Sequence, residues 1–330
     1  MANTPAKADQ IIDESLAKAL LPRRTSGDHK WGVGGLVIIG GAPGYIGAPA
    51  LCARAAGRSG AGIVTVAVSR ASVGPIATLA PEATFLPLPE GDPQSAATRA
   101  LPQIRERVEQ SAAIVAGPGL SQDEHAQALL TALFEMREER PGSRLGFGTL
   151  TKQSESEYES RVLGGSIPAV IDADALTWLA SQDSWWERVE PMSLLLTPHI
   201  GEMARLLETD AESIRSDPRS AAVDSAERWK QVVLLKGTHA IVTDGISVYT
   251  GPETPPSLAT AGSGDVLAGS IGAFLGQGLS LLDAAVLAVY AGLAAARSVA
   301  LEFGTLGLIA TDLPDAVGRA LATLERERSH

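Results

Sequence analysis

The sequence predicts an α/β fold: a central, mostly parallel sheet flanked by helices on both faces. Short runs rich in Val, Ile and Leu recur along the chain without alternating with polar residues, and helical stretches lie between them. Uninterrupted apolar runs belong to strands buried on both faces, and parallel neighbours need crossover helices to join them. The resulting βαβα alternation gives a doubly wound sheet.

Taken in order, residues 1–24 mix charges throughout, which excludes the apolar core of a secretory signal and reads as an amphipathic leading helix, with a linker to residue 29. Strands are expected over 36–39, 63–68, 113–116, 169–171, 194–196 and 232–235. Crossover helices are expected over 49–59, 124–138, 202–207 and 220–231. After Lys236, two short runs at 240–243 and 247–249 flank Asp244-Gly245, a hairpin signal. Ser280-Leu281-Leu282-Asp283 forms a capping box before a long apolar helix that ends near Gly304. One domain over 30–325 accommodates all of this. Within it, 138–165 is rich in Glu, Ser, Gly and Arg and weakly periodic, so it reads as a mobile surface excursion.

Composition narrows the function classes. Hydrophobic residues make up 45% and charged residues 20% of the 330, which supports a buried core. The 27 Lys and Arg against 38 Asp and Glu leave a formal charge of −11, unfavourable for nucleic acid or anionic lipid. A small-molecule partner is expected instead. Cys52 is the sole cysteine, so no intramolecular disulfide or multi-cysteine metal site forms, and a reducing cytoplasm fits. Glycines and polar residues interrupt the uncharged stretch 266–282, which argues against a membrane span.

The chemistry-bearing motifs fall at strand ends. Ala261-Gly262-Ser263-Gly264-Asp265 opens a helical pattern, so unpaired N–H groups and the positive end of the helix dipole converge as an anion hole suited to phosphate. Asp265 beside that anion is placed to take a proton from a hydroxyl; its alternative is a helix N-cap. Lys236-Gly237-Thr238 follows the run 232–235 at the edge where open α/β sheets bind ligands, either to pair with a phosphate or as a solvated lysine. Thr197-Pro198-His199-Ile200-Gly201-Glu202 projects His199 from another strand end, and Gly117-Pro118-Gly119 lets a ligand approach the backbone. Asp172 and Asp174 leave a strand on the same edge, as orienting carboxylates or as caps, and metal ligands stay unassigned. The loop over 40–49 does not match GxGxxG, and Ser69-Arg70 stand where an acidic residue would hold a ribose, which excludes an ordinary NAD-dependent dehydrogenase.

Together these motifs occur in the order seen in ADP-dependent (S)-NAD(P)H-hydrate dehydratases. The resemblance rests on Gly40-Gly41-Ala42-Pro43-Gly44-Tyr45-Ile46-Gly47-Ala48-Pro49, Arg58-Ser59-Gly60-Ala61-Gly62, Gly117-Pro118-Gly119, Asp172-Ala173-Asp174-Ala175-Leu176, Thr197-Pro198-His199-Ile200-Gly201-Glu202, Lys236-Gly237 and Ala261 through Gly269. It implies a ribokinase-like fold, with Ala48, Gly119, His199 and Asp265 lining a hydrated nicotinamide and Asp265 as catalytic base. It further implies that Lys236, Gly237, Thr238, His239, Ala240 and Gly264 hold ADP, accompanied by Mg2+, in a cytoplasmic homo-oligomer, a homotetramer, served by a separate epimerase. Departures from the family pattern are Ser263 in place of Thr, Thr238-His239, the absence of a His in Tyr290-Ala291-Gly292, and the length of 138–165. A ribokinase-like small-molecule kinase and a non-catalytic nucleotide sensor are the alternatives the same anion turn allows.

Overall fold

The computed structural model describes residues 9–25, 27, 29, 32–135 and 161–328. Among them ten strands form one sheet: β1 (Asp9–Ile11), β2 (Gly35–Ile39), β3 (Ile63–Ser69), β4 (Thr84–Leu88), β5 (Ala113–Ala116), β6 (Ala169–Ile171), β7 (Leu194–Leu196), β8 (Val232–Leu235), β9 (His239–Thr243) and β10 (Val248–Glu253). Their order across the sheet is β1-β10-β9-β8-β7-β6-β5-β2-β3-β4. Only β9 runs against its neighbours; every other pairing is parallel.

The helices are α1 (Glu14–Leu20), α2 (Gly47–Arg58), α3 (Arg70–Leu79), α4 (Pro93–Glu109), α5 (Glu124–Leu133), α6 (Ala173–Leu179), α7 (Ile200–Leu206), α8 (Ala211–Ser216), α9 (Pro218–Trp229), α10 (Ser263–Gly276), α11 (Leu281–Gly307) and α12 (Leu313–Arg328). In β2 the period of two sends Leu36 and Ile38 into one core and Val37 and Ile39 into the other, all four fully buried. The first core is roofed by α2, α10, α11 and α12, the second by α4, α5, α6, α7 and α9. Both faces of the sheet are therefore apolar, which explains the unbroken hydrophobic runs, and the expected mostly parallel α/β sheet is borne out.

Every expected strand and crossover helix is present, with ends shifted by a few residues. The expected 124–138 helix stops at Leu133, capped at Phe134 with Glu135 at φ 51°; residues 136–138, like most of the 138–165 excursion, lie outside the described residues. Strands β1 and β4 and helices α3, α4, α6 and α8 are additional. Pro87 and partial exposure hide β4 at one edge of the sheet, where a missing N–H is tolerated. Pro102 interrupts the pattern of α4. At the other edge Asp9–Ile11, expected to be helical, pairs with β10 instead, and the helix starts only where Asp13 caps it through the Leu16 N–H.

Asp244-Gly245 makes the expected turn between β9 and β10, with Gly245 at φ 86°. Ser280 accepts the Asp283 N–H as a cap, and α11 breaks at Gly304, where φ 73° and ψ 178° leave the helical region. Among the described residues α11 is the one helix long and apolar enough to cross a membrane; 61% of its apolar window is buried inside this fold, as in a core helix.

Helix α10 crosses the sheet centre against α2 by a close backbone approach. A Cβ at Gly269 would lie 2.1 Å from the carbonyl oxygen of Cys52. Gly269→Ala should therefore lower stability by about 1–3 kcal/mol, the usual range for overpacking, despite the better helix propensity of alanine. Gly57 in α2 has nothing within 4 Å of its Cβ position, and Gly57→Ala should instead gain up to about 1 kcal/mol. Denaturant unfolding of both variants checks the pair, and opposite signs are the expected result.

Candidate active site

The strand order reverses between β2 and β5, so their carboxyl ends border a topological switch point, the place where open α/β sheets form a ligand crevice. The loops leaving these strands are bonded together: the Gly41 N–H donates to the Pro118 carbonyl at 3.1 Å and the Ala42 N–H to that of Gly119 at 2.7 Å. Gly119 takes φ 60°, and a Cβ there would lie 2.6 Å from the Tyr45 carbonyl oxygen and 3.1 Å from the Ala48 Cβ. Only glycine fits that contact, and it brings Ala48 and Gly119 together.

Three further strand ends supply charge. β6 is followed by Asp172, whose side chain is 3% exposed. Its Oδ1 accepts from the Lys236 Nζ at 2.9 Å, beyond β8, and from the Thr197 Oγ1 at 2.6 Å, beyond β7. Glu202 Oε2 lies 3.9 Å from the same ammonium and accepts the His199 N–H at 2.8 Å. Burial works against the charge on Lys236, but Asp172 and then Glu202 outweigh it and hold its pKa above the ordinary lysine value. Lys236 is thus a paired residue rather than a solvated one.

His199 caps α7. Its Nδ1 accepts from the N–H groups of Gly201 at 2.9 Å and Glu202 at 3.2 Å, and Glu202 returns the bond in a capping box. Burial, then Lys236 and Arg205, lower the histidine pKa. With Nδ1 accepting, the ring is neutral and carries its proton on Nε2. His199 therefore has a local task that the sequence alone did not disclose.

The glycine turn lies beside this cluster. Gly262 takes φ 95°, no side chain caps α10, and the N–H groups of Gly264 and Asp265 in its first turn have no acceptor within the helix. Ser263 Oγ is spent on the carbonyls of Leu258 and Thr260. A Cβ at Gly264 would be 3.6 Å from the Lys236 Nζ and 4.0 Å from Asp172 Oδ2. One at Gly262 would be 3.8 Å from Asp265 Oδ2. The turn, the ammonium and the Asp265 carboxylate therefore share one spot. Burial first and the Asp172 charge next push the Asp265 pKa up to about 7, against the pull of Lys236.

A cavity of about 170 Å³ opens from this turn, lined by Lys236, Gly237, Ala240, Ser263 and Gly264 and walled by apolar side chains of α11 and α12, among them Val289 and Val317. Thr238 and His239 are not part of its lining: the Thr238 carbonyl accepts the Thr254 N–H, and His239 Nδ1 lies 3.0 Å from the Gly251 carbonyl. Ala261 is exposed at the start of the turn. Asp174 serves a different purpose from its neighbour, accepting the Ser121 N–H at 2.8 Å and so tying the β6 loop to the β5 loop. Neither aspartate caps α6 through its side chain. Among the described residues no three His, Cys, Asp or Glu side chains gather as a metal cage.

The sequence assigns Thr197 and Glu202 no role and leaves that of Asp172 open. The only local signal for Glu202 is its place three residues after the cap, and nothing local announces the Asp172 contacts.

Comparison with known proteins places the chain as a whole. The family model for NAD(P)H-hydrate dehydratase matches residues 36–319. A bifunctional NAD(P)H-hydrate repair enzyme Nnr from Moorella thermoacetica is 37% identical over 320 residues, covering 96% of this chain but 55% of that protein, so the chain spans about half the relative's length. An ADP/ATP-dependent NAD(P)H-hydrate dehydratase from Bacillus subtilis, co-crystallised with ATP and Mg2+, superposes with a TM-score of 0.76 at 25% identity over 97% of this chain and all of that one. A ribokinase-like superfamily protein from Enterococcus faecalis shares the fold, with a TM-score of 0.76 at 21% identity, covering 98% of this chain and 99% of that one. With residues 36–319 matched by the family model and a relative 37% identical over 96% of its length, this chain belongs to the NAD(P)H-hydrate dehydratases.

Proposed function

We propose that the protein repairs hydrated NADH and NADPH, removing water from the S epimer while ADP is split into AMP and phosphate. The observation that carries this reading is the meeting of Asp265, with a pKa near neutrality, the Lys236 ammonium and the open first turn of α10 at one point of the cleft. Hydroxide is a poor leaving group. In the proposed route Asp265 takes the proton of the ring hydroxyl, whose oxygen attacks the terminal phosphorus of ADP, and AMP departs. The carbon–oxygen bond then breaks, phosphate leaves with the electron pair, and a proton lost from the neighbouring ring carbon restores the double bond. The N–H groups of the turn and Lys236 hold the charge on the moving phosphoryl group.

Ala48, Gly119, His199 and Asp265 line the nicotinamide end in this reading; His199 offers its Nε2 proton, because Nδ1 is engaged. Lys236, Gly237, Ala240 and Gly264 hold the nucleotide in the adjoining cavity, with Thr238 and His239 contributing from outside its lining, and Ala261 to Gly264 form the anion hole. With no cage of acidic or histidine side chains among the described residues, magnesium would be held by the nucleotide phosphates themselves and would screen their charge. We further assign residues 30–325 to one catalytic domain, assembly to a homotetramer and location to the cytoplasm. A separate epimerase would convert the R hydrate into substrate.

The test is recovery of reduced-nicotinamide absorbance from hydrated NADH with ADP, with ATP and with no nucleotide. Recovery is expected only with nucleotide, accompanied by equimolar AMP and phosphate in the ADP reaction. Recovery in its absence rules out the phosphorylation route, and a stable phosphorylated alcohol would instead identify a small-molecule kinase. Asp265→Asn should lower kcat by about 10²- to 10⁴-fold while the protein stays folded and still binds ADP; an unaltered kcat removes Asp265 as the base.

The pH dependence has a definite sign. Asp265 must be ionised to accept a proton, so kcat/KM should fall as pH drops below about 7. Its folded pKa lies above the ordinary value of 3.8, so the native state binds the proton more tightly, and this group's contribution to stability declines as pH rises from 3.8 to about 7. A pH–rate profile flat through this window would contradict the assignment.

A further inference from the structure

The buried Asp172–Lys236 pair needs an explanation other than stability, because a buried ion pair roughly breaks even against apolar residues of the same size. Three strand ends converge on it: Asp172 follows β6, Thr197 follows β7 and Lys236 follows β8. Asp172 stands at the N-cap position of α6 yet its side chain makes no cap bond. Instead its Oδ1 takes two donors, the Thr197 hydroxyl at 2.6 Å and the Lys236 ammonium at 2.9 Å, while Oδ2 faces Gly264. The lysine side chain is 24% exposed against 3% for the aspartate, so an arriving anion meets the ammonium with the carboxylate behind it. A free lysine stem has four rotatable bonds, and the second carboxylate within reach, Glu202, is farther away at 3.9 Å and already holds the His199 N–H.

We propose that Asp172 is a positioning residue for phosphoryl transfer: oriented by Thr197, its carboxylate fixes the Lys236 ammonium over the anion turn at Gly264 and keeps a negative charge beside Asp265. The proposal rests on the nucleotide-dependent reading above. The charged and titratable groups that act on Asp265 are Asp172 after β6, Asp174 on α6 and Lys236 after β8, and the buried Cys52 thiol of α2 lies within its influence. Of these, Asp172 is the stronger of the two carboxylates that make Asp265 more basic.

The test compares Asp172→Asn and Thr197→Val with wild type, with ADP affinity measured by calorimetry and with kcat, both KM values and pH profiles measured on the hydrate. Asp172→Asn should weaken ADP about tenfold, the effect of losing one charge-assisted hydrogen bond, with the KM for the hydrate unchanged. Its acid limb should move to lower pH, because Asp265 loses the negative neighbour that raised it. Thr197→Val keeps the charge but frees the carboxylate, so ADP should weaken several-fold while the acid limb stays in place. A lower Tm with unchanged ADP affinity and an unmoved acid limb in Asp172→Asn would reduce the residue to a structural part. If Asp172→Asn does not fold, wild-type ADP affinity in Thr197→Val overturns the proposal by itself. ADP binding needs no turnover. A wild-type chain that binds ADP but leaves the hydrate untouched therefore defeats the proposed reaction, and the calorimetric comparison still decides the role of Asp172.

Discussion

Charge balance constrains this site more than any single contact. Among the described residues, Lys236 is the ammonium that serves Asp172, Glu202 and, through space, Asp265. One positive charge cannot keep three carboxylates ionised out of water, so the most weakly compensated of them holds its proton until near neutrality. That same imbalance suits Asp265 to the proton-accepting role proposed for it, since a base works best when its pKa matches the working pH. A phosphate entering here would face repulsion from these acids. In the proposed reaction the N–H groups of the helix start and the ammonium in front of Asp172 would offset that repulsion.

The electrostatics depend in turn on backbone packing. Helix α10 can bring its first turn down to the strand ends because Gly269 lets its backbone rest on that of Cys52. Raising the helix by even part of an ångström would lift Gly264 away from Lys236 and leave the ammonium with carboxylates alone. Helix seating and charge balance are thus coupled: the roof of one core determines which groups meet in the crevice.

Much of this was readable from residue order, for identifiable reasons. Strands covered on both faces leave continuous apolar runs, and β2, β5, β6, β7 and β8 were all found this way. The glycine turn and Lys236-Gly237 advertise themselves through local composition. Edge strands carry a weaker mark: β1 is exposed and largely polar, and Pro87 breaks the apolar run of β4. The Asp172 contacts join residues 25 and 64 positions apart, a separation no local pattern encodes. The sequence places His199 in a loop before a helix, whereas its Nδ1 closes the start of α7. Capping by histidine is unusual enough that only the fold reveals it.

The short strand at Asp9–Ile11 bears on handling the protein as well as on its architecture. It pairs with Val248 to Thr250, and Arg219 clamps Asp9 with three side-chain bonds of 2.7 to 3.1 Å. Trimming the leading residues, or attaching a bulky fusion immediately before them, would uncover a row of unpaired amides along β10. Such a row invites strand exchange with neighbouring molecules in concentrated solution, so recombinant versions should retain Asp9–Ile11 and place any affinity tag at the opposite terminus.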